Sequence, residues 1–323
     1  MATDIPEPLT DLVWHYTDTS ALISILTTHR LRASSAAYMN DANEMVTHQL
    51  AMKSAYQRIR ESLASEEQEL LDRRYDSDAG HRNVHENYLV SASENGDLLT
   101  LWRNYGGSGA FSIGLDPSVR LRPVLQRTED KHPFPPNGYY EDAEDFTEEG
   151  ESFLAYDPDD PRTLGGTWRR VNYVSRDGLE SHEEQLRRDA SFLVGRKHNP
   201  EKFRYVVDFT YLDPDNAPNL EKDDAFSDEK EVRIIVSATP DWKFVKYRSG
   251  PFGLTPYVDL AAMEKTQTVH GDTTLIPAFL PIRRITLGPS HRGSEREQRS
   301  LRALLDANGY RDVEVDISEI PYR

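Results

Sequence analysis

Three short groups of residues in this chain have the types and spacing for chemistry on a sugar. The first is Trp14-His15-Tyr16-Thr17, closing an apolar run, Val13 to Tyr16, that reads as a strand. A histidine there can donate a hydrogen bond to a ribose hydroxyl, and a neighbouring tyrosine can stack on an aromatic ring. A half-buried strand histidine can equally do no more than bond the backbone. The second group is Ser91-Ala92-Ser93, followed by Trp102, Tyr105 and the turn Gly106-Gly107-Ser108-Gly109. Serine hydroxyls on a strand can hold a neighbouring carboxylate, and a glycine turn lets backbone amides approach a phosphate. A strand edge, a core tryptophan and a helix stop account for the same residues without a ligand.

The third group is Asp228-Glu229-Lys230-Glu231-Val232-Arg233, entering an apolar run. Glu229 and Glu231 are two apart, so on a strand they share one face. Paired carboxylates repel, and burial raises their pKa values, so the pair needs a reason. One reason is a reaction that grows positive charge on a sugar. A carboxylate can hold a ribose 2′-hydroxyl and steady an oxocarbenium-like state as a glycosidic bond breaks. The competing explanation is a solvated strand start, with Lys230 and Arg233 as local partners.

Other groups carry less. His81 and His85 have helical i,i+4 spacing but no third ligand nearby, which speaks against a metal site. Ser108 follows no strand directly, so it is not a nucleophile elbow. Phosphate-loop and dinucleotide fingerprints are absent from the sequence. The chain has no cysteine, which excludes disulfides, zinc–thiolate sites and thiol nucleophiles and makes a reducing cytoplasm the expected setting. A net charge of −17 repels phosphate backbones and lowers the expectation of nonspecific nucleic-acid binding, while leaving room for a small nucleotide. The longest apolar runs, such as Val232 to Val236 and Leu275 to Ile282, are too short to cross a bilayer. Met1 to Leu12 holds Asp4, Glu7 and Asp11 and no basic residue, so it reads as neither a signal nor a transit peptide.

These groups need elements to hold them. After the Val13–Tyr16 strand, Thr19 or Ser20 is expected to cap a helix with Leu22, Ile25 and Leu26 on one face. Asp41 and Glu44 have capping-box spacing for a helix through about Ser65, and a charged helical stretch reaches Asp78. Tyr88 to Ser93 and Ala110 to Leu115 read as strands, with a helical run Leu98 to Tyr105 between them. Further on come a helix near Leu179 to Lys197 and strands at Tyr205 to Tyr211 and Val232 to Ser237. The end of the chain reads as strand Arg284 to Leu287, helix Glu295 to Asn308 and strand Val313 to Ile317. Ser294 and Glu297 form its capping box, and Asn308-Gly309 supplies a left-handed stop. Gln126 to Arg162 is rich in Pro, Asp and Glu and lacks periodicity, so it reads as an acidic surface insertion. The strands on either side of it look like parts of one sheet system, so residues 1–323 are expected to form a single α+β domain.

The motifs His15-Tyr16-Thr17 with Leu22 to Leu26, Tyr38-Met39-Asn40-Asp41 to Glu44, Ser91 to Tyr105, Phe226 to Arg233 and Ile285 to Pro289 occur in that order. Together they resemble a bacterial family known as domain of unknown function twenty-nine seventy-one. Its layout is similar to the ADP-ribosyltransferase superfamily: a His-bearing first strand, a serine-bearing second strand and a late glutamate strand. The resemblance implies a core of two small packed mixed or antiparallel sheets with flanking helices. It implies NAD as substrate, with no metal. His15 would bind the NAD ribose beside Thr17, Tyr16 or Tyr105 would stack near nicotinamide, and Ser91 or Ser93 would support the site. Glu231 would be the catalytic glutamate, with Glu229 orienting the acceptor. Ser91-Ala92-Ser93 departs from the superfamily's Ser-Thr-Ser in its middle residue. The implied activity is cleavage of the nicotinamide–ribose bond, with ADP-ribose passed to an acceptor macromolecule or to water. A role in toxin or phage-defence biology is the corresponding expectation. The alternative is a non-catalytic nucleotide-sensing or interaction protein on the same fold. A nuclease-like enzyme is disfavoured by the acidity and by the lack of a clear metal cluster.

Overall fold

Apolar residues at every second position of Glu86–Ser93 and Glu231–Ala238 set two strands side by side over one core. Tyr88, Val90 and Ala92 of the first join Val232, Ile234 and Val236 of the second in a single buried cluster. The computed structural model describes residues 9–38, 52–75, 86–105, 109–124, 166–174, 179–198, 220–238, 244–250, 253–267, 273–289 and 295–321.

In chain order the first half begins with β1 (Val13–Asp18), helix α1 (Thr19–Thr28) and β2 (Leu31–Ser35). A helical stretch α2 (52–59) and α3 (Ser65–Tyr75) follow, then β3 (Glu86–Ser93), α4 (Leu99–Tyr105), β4 (Ala110–Leu115) and β5 (Leu121–Val124). Beyond the acidic stretch come β6 (Arg169–Arg170), β7 (Asn172–Val174), α5 (Leu179–His198), β8 (Glu221–Asp223) and β9 (Glu231–Ala238). The chain continues through β10 (Val245–Gly250), β11 (Gly253–Gln267), β12 (Thr273–Ala278), β13 (Ile282–Leu287), α6 (Glu295–Ala307) and β14 (Glu314–Ile317).

The protein is mixed α and β, but its sheets differ from the two small ones expected. One sheet holds twelve strands, along the path β10-β11-β2-β3-β1-β4-β13-β14, with β5 and β12 also on β11 and with β9 between β3 and β6. A separate two-stranded sheet pairs β7 with β8 in parallel. The physical reason is that β3 hands its hydrogen bonds on. Its edge meets β1 at Trp14↔Ser93 and β2 at Ser34↔Leu89 and Ser35↔Tyr88, so the ladder never breaks into two. Both ends of the path still share one core, in which Val13, Ile113 and Ile285 pack with Leu31, Val258 and Ile234. α1 lays Leu22, Ile25 and Leu26 into it, and α6 adds Leu301 and Leu305. A second cluster forms where α2, α3 and α5 meet, around Tyr56, Leu71 and Leu186.

Several local expectations shift. The cap of α1 is Asp18, whose carboxylate accepts from Ala21 N at 2.8 Å, and not Thr19 or Ser20. The run expected to be helical through Ser65 stops in a 3-10 turn, Arg60–Ser62, before α3 starts. Gly309 takes the left-handed conformation (φ 84°) that ends α6. Asn40, Asp41, Glu44, the strand expected at Tyr205 to Tyr211, Ser294 and the acidic stretch Gln126 to Arg162 lie outside the described residues. The strands flanking that stretch, β5 and β6, both belong to the twelve-stranded sheet.

Candidate active site

Strands β9, β3 and β1 are neighbours, and their registers pair Ser93 with Glu231, Ser91 with Arg233 and Trp14 with Ser93. Residues directly opposite share a face. Leu89, Ser91 and Ser93 of β3 and Glu231, Arg233 and Ile235 of β9 therefore look away from the main core. At one end of this second face Leu89 and Ile235 form a small apolar cluster with Ala36 and Leu220. At the other end the face is polar.

His15 stands where β1 leaves β3. Just past Trp14↔Ser93 the strands part, and the imidazole takes the place of the missing ladder bond, with Nδ1 2.8 Å from Ser91 O. A carbonyl only accepts, so Nδ1 carries the proton and Nε2 is left as an acceptor. Burial holds the ring below its ordinary pKa against the opposing effect of that hydrogen bond, which keeps the imidazole neutral at pH 7. The residue is therefore suited to accept from a sugar hydroxyl through Nε2, the reverse of the donation expected. Beside it, Ser91 Oγ is buried and makes no hydrogen bond of normal geometry. Ser93 is tied down: its hydroxyl donates to Glu229 O at 2.7 Å and accepts from Asn95 N at 3.0 Å.

The glutamate pair is buried and not solvated, and it is not built by strand periodicity. Glu229 ends a 3-10 turn, Asp224–Glu229, and Lys230 takes a left-handed conformation (φ 43°, ψ 49°) before β9 begins at Glu231. A left-handed lysine is uncommon, and it breaks the two-residue period that would have put both carboxylates on one strand face. Lys222 of β8 reunites them, with Nζ 2.9 Å from Glu229 Oε2 and 3.1 Å from Glu231 Oε2. Arg233 clamps Glu231 from the other side, Nε to Oε1 at 2.7 Å and Nη2 to Oε2 at 2.9 Å. Parallel pairing of β7 with β8 sets Tyr173 beside Lys222, and the Tyr173 hydroxyl accepts from Glu231 N at 2.7 Å. Side-chain exposure is 3% for Lys222, 8% for Glu229, 9% for Glu231 and 4% for Arg233, so these two cations and two carboxylates form a dry neutral set. Burial pushes the Glu231 carboxyl up, but the Arg233 and Lys222 charges and hydrogen bonds, with help from the Ser91 hydroxyl, outweigh it and hold the group below its usual range. Of its two oxygens, Oε1 accepts from Arg233 Nε at 2.7 Å, while Oε2 accepts from both Arg233 Nη2 and Lys222 Nζ.

The other residues named from the sequence fall elsewhere. Tyr16 is buried with both hydroxyl functions used: it donates to Asn95 O at 2.8 Å and accepts from Leu98 N at 2.9 Å. Its ring meets Trp102 edge-on at 4.7 Å, and Trp102 Nε1 donates to Asp97. Thr17 is buried on β1, and Tyr105 is 45% exposed at the end of α4. Ser108, His81 and His85 lie outside the described residues. Lys222 and Tyr173 are site residues the sequence did not announce. Lys222 sits in an acidic run, Glu221-Lys222-Asp223-Asp224, whose only signal is a lone cation among carboxylates. Among the described residues, no group of three or more His, Cys, Asp or Glu side chains could hold a metal ion. No protein-family model, curated protein or solved structure matches this chain, so its reading rests on the residues and their geometry.

Proposed function

We propose that His15, Ser91 and Glu231, carried by the neighbouring strands β1, β3 and β9, bind NAD where β1 and β3 part, and that the protein is an ADP-ribosyltransferase-like enzyme of the bacterial family it resembles, acting in the cytoplasm. The observation that carries the reading is the strand order β9–β3–β1. It sets a neutral histidine, a buried serine hydroxyl close to the carboxylate and an ionised buried glutamate on adjacent strands. Those three chemistries answer the needs of a nicotinamide ribose. His15 Nε2 accepts from one sugar hydroxyl and Glu231 Oε1 from another. Ser91, close to the carboxylate, offers the hydrogen bond that holds it. In the reaction the C1′–N bond of the ribosyl-nicotinamide breaks and its electron pair leaves on the nicotinamide nitrogen. The sugar becomes oxocarbenium-like, and an acceptor nucleophile, or water, closes on C1′ and gives up its proton. A fixed negative charge near the ring stabilises that state more than the ground state, which is the condition for catalysis. Lys222 and Arg233 keep Glu231 ionised and oriented without water. Glu229, linked to it through Lys222, is the group this reading assigns to orienting the acceptor.

A second reading is favoured by one observation: the charge on Glu231 is already balanced by a bidentate arginine and a lysine. A carboxylate so neutralised supports less positive charge on a sugar, and the same residues would then bind a nucleotide without cleaving it. Calorimetry with NAD and an assay for free nicotinamide separate the two. Binding with release supports the enzyme. Binding without release, across candidate acceptors, supports the sensor. Neither binding nor release contradicts both.

A further inference from the structure

The sheet face that carries Ser91 and Glu231 continues across β2 onto β11 and β10, because Leu89 pairs with Ser34 and Ser34 with Tyr257. There it changes sign. Lys246 Nζ lies 3.0 Å from Asp259 Oδ2, and Arg30 and Arg32 each reach the same carboxylate at 3.9 Å. Arg32 also covers the Tyr257 ring at 4.6 Å, and Arg248 Nη2 donates to Ser34 Oγ at 3.2 Å. In a chain of net charge −17, this face gathers three cations around the Asp259 carboxylate, with Arg248 nearby at Ser34. The charges sense one another: burial holds Lys246 below its ordinary pKa, Asp259 opposes this, and Arg30 and Arg32 add to it.

A second, independent feature points to a missing partner. Thr255 pairs directly across from Arg248, so the two share this face. Its hydroxyl is 2% exposed at the residue level and has no hydrogen bond, and Arg248 Nε is likewise buried and unpartnered. Native interiors rarely leave such groups unsatisfied unless something else meets them. Gly250 makes the close packing possible, since a Cβ there would stand 2.4 Å from Thr255 Oγ1.

We propose that this face is a subsite for the diphosphate of a nucleotide, bound by Arg32, Arg248 and the Thr255 hydroxyl. Arginines present forked donors that match phosphoryl oxygens, and a hydroxyl adds one more. The cationic head groups gather over β2, which carries Arg32 and where Arg248 Nη2 meets Ser34 Oγ; β2 lies two strand spacings from β9, roughly 10 Å, the scale of a ribose with its attached diphosphate. A ligand with two phosphates feels the local cations, whereas a long nucleic-acid backbone would meet the acidic remainder of the molecule. The identity of the ligand rests on the nucleotide reading above; the existence of an anion subsite does not.

The test uses the full chain and inorganic pyrophosphate as probe, by calorimetry at low ionic strength, where charge contacts are least screened. Wild type is expected to bind, and Arg248→Gln and Thr255→Val each to weaken binding by about tenfold or more, the scale of one charged hydrogen bond. Thr255→Val should melt at or above the wild-type temperature, because it removes an unsatisfied buried hydroxyl, so a loss of binding there is not a loss of fold. Absence of pyrophosphate binding, binding unchanged in both variants, or tighter binding of duplex DNA than of pyrophosphate would each overturn the proposal. NAD titrations keep the two readings apart. Equal NAD affinity in wild type and Arg248→Gln sinks the subsite and spares the nucleotide reading. Pyrophosphate binding that depends on Arg248, with no NAD binding, does the reverse.

Discussion

Replacing Lys222 by methionine tests whether the glutamate set is a dry electrostatic unit. Lys222 lies within ion-pair distance of both Glu229 and Glu231, and its side chain is 3% exposed. Methionine keeps an apolar stem of similar length and deletes the charge, together with its 5.0 Å approach to the centroid of the Phe226 ring. Glu231 then keeps Arg233, and Glu229 loses the Lys222 charge. Breaking a buried ion pair by removing one partner costs about 3–5 kcal/mol, and Arg233 survives to offset part of it, so about 3 kcal/mol is expected at pH 7. The pH dependence follows from the direction of the Glu231 shift. Its folded pKa lies below the ordinary value of 4.5, so it contributes stability that is present above that value and lost as pH falls through the folded pKa. In Lys222→Met the sign reverses: burial and the neighbouring carboxylate push a pKa up, and protonation relieves the variant as the solution is acidified. Urea unfolding of both proteins at pH 7 and pH 4 should show the gap narrowing by about 1–2 kcal/mol. A gap below about 0.5 kcal/mol at pH 7, the size of an ordinary surface substitution, or a gap independent of pH, would refute the reasoning.

Tyr16→Phe strands the Asn95 carbonyl and the Leu98 amide and should lower stability by about 1–3 kcal/mol in thermal melts. NAD affinity should stay within about twofold, because the ring is committed to Trp102 and the loss is one of packing and backbone satisfaction. Gly288→Ala places a Cβ 2.7 Å from Ala110 Cβ and 3.0 Å from Trp102 Cε3, an overpacking cost of about 1–3 kcal/mol. Adding Ala110→Gly should recover part of that loss in the same melts, and a double variant no better than the single one would contradict the steric account.

Much of the frame was legible because local pattern and tertiary role agree there. β4 at Ala110–Leu115 matches the expected run, α5 starts at the expected Leu179, and α1 buries the three residues its spacing selected. Three things were not legible. The β10–β12 meander hides because β11 carries Pro256, which argues against a strand, and because Leu254 is 66% exposed while Thr255 is 2% exposed, inverting the apolar pattern. The single twelve-stranded sheet depends on how β3 shares its edge between β1 and β2, which no local run encodes. The glutamate pair was found for the wrong reason. Both carboxylates are buried together, but through a left-handed Lys230 and a bridging Lys222 on another strand, a tertiary arrangement that two-residue spacing cannot foresee. His15 was placed beside Ser91 through strand order, and the direction of its hydrogen bond emerged only from the Ser91 carbonyl.

Nicotinamide release by wild type and Glu231→Gln, with NAD affinity measured on the same proteins, bears most directly on the central claim. Glutamine keeps the size of the side chain and removes the charge that would face an oxocarbenium-like sugar. If that charge acts in the transition state, NAD affinity should change little while the rate of release falls about 10²-fold or more, roughly 3 kcal/mol of lost stabilisation. Stability should be checked by melting in parallel, since Arg233 and Lys222 lose their counter-charge. Wild type that releases nicotinamide, beside a folded variant that binds NAD and does not, is the predicted outcome. A folded Glu231→Gln that releases nicotinamide at the wild-type rate, or a wild type that binds no NAD, would contradict it.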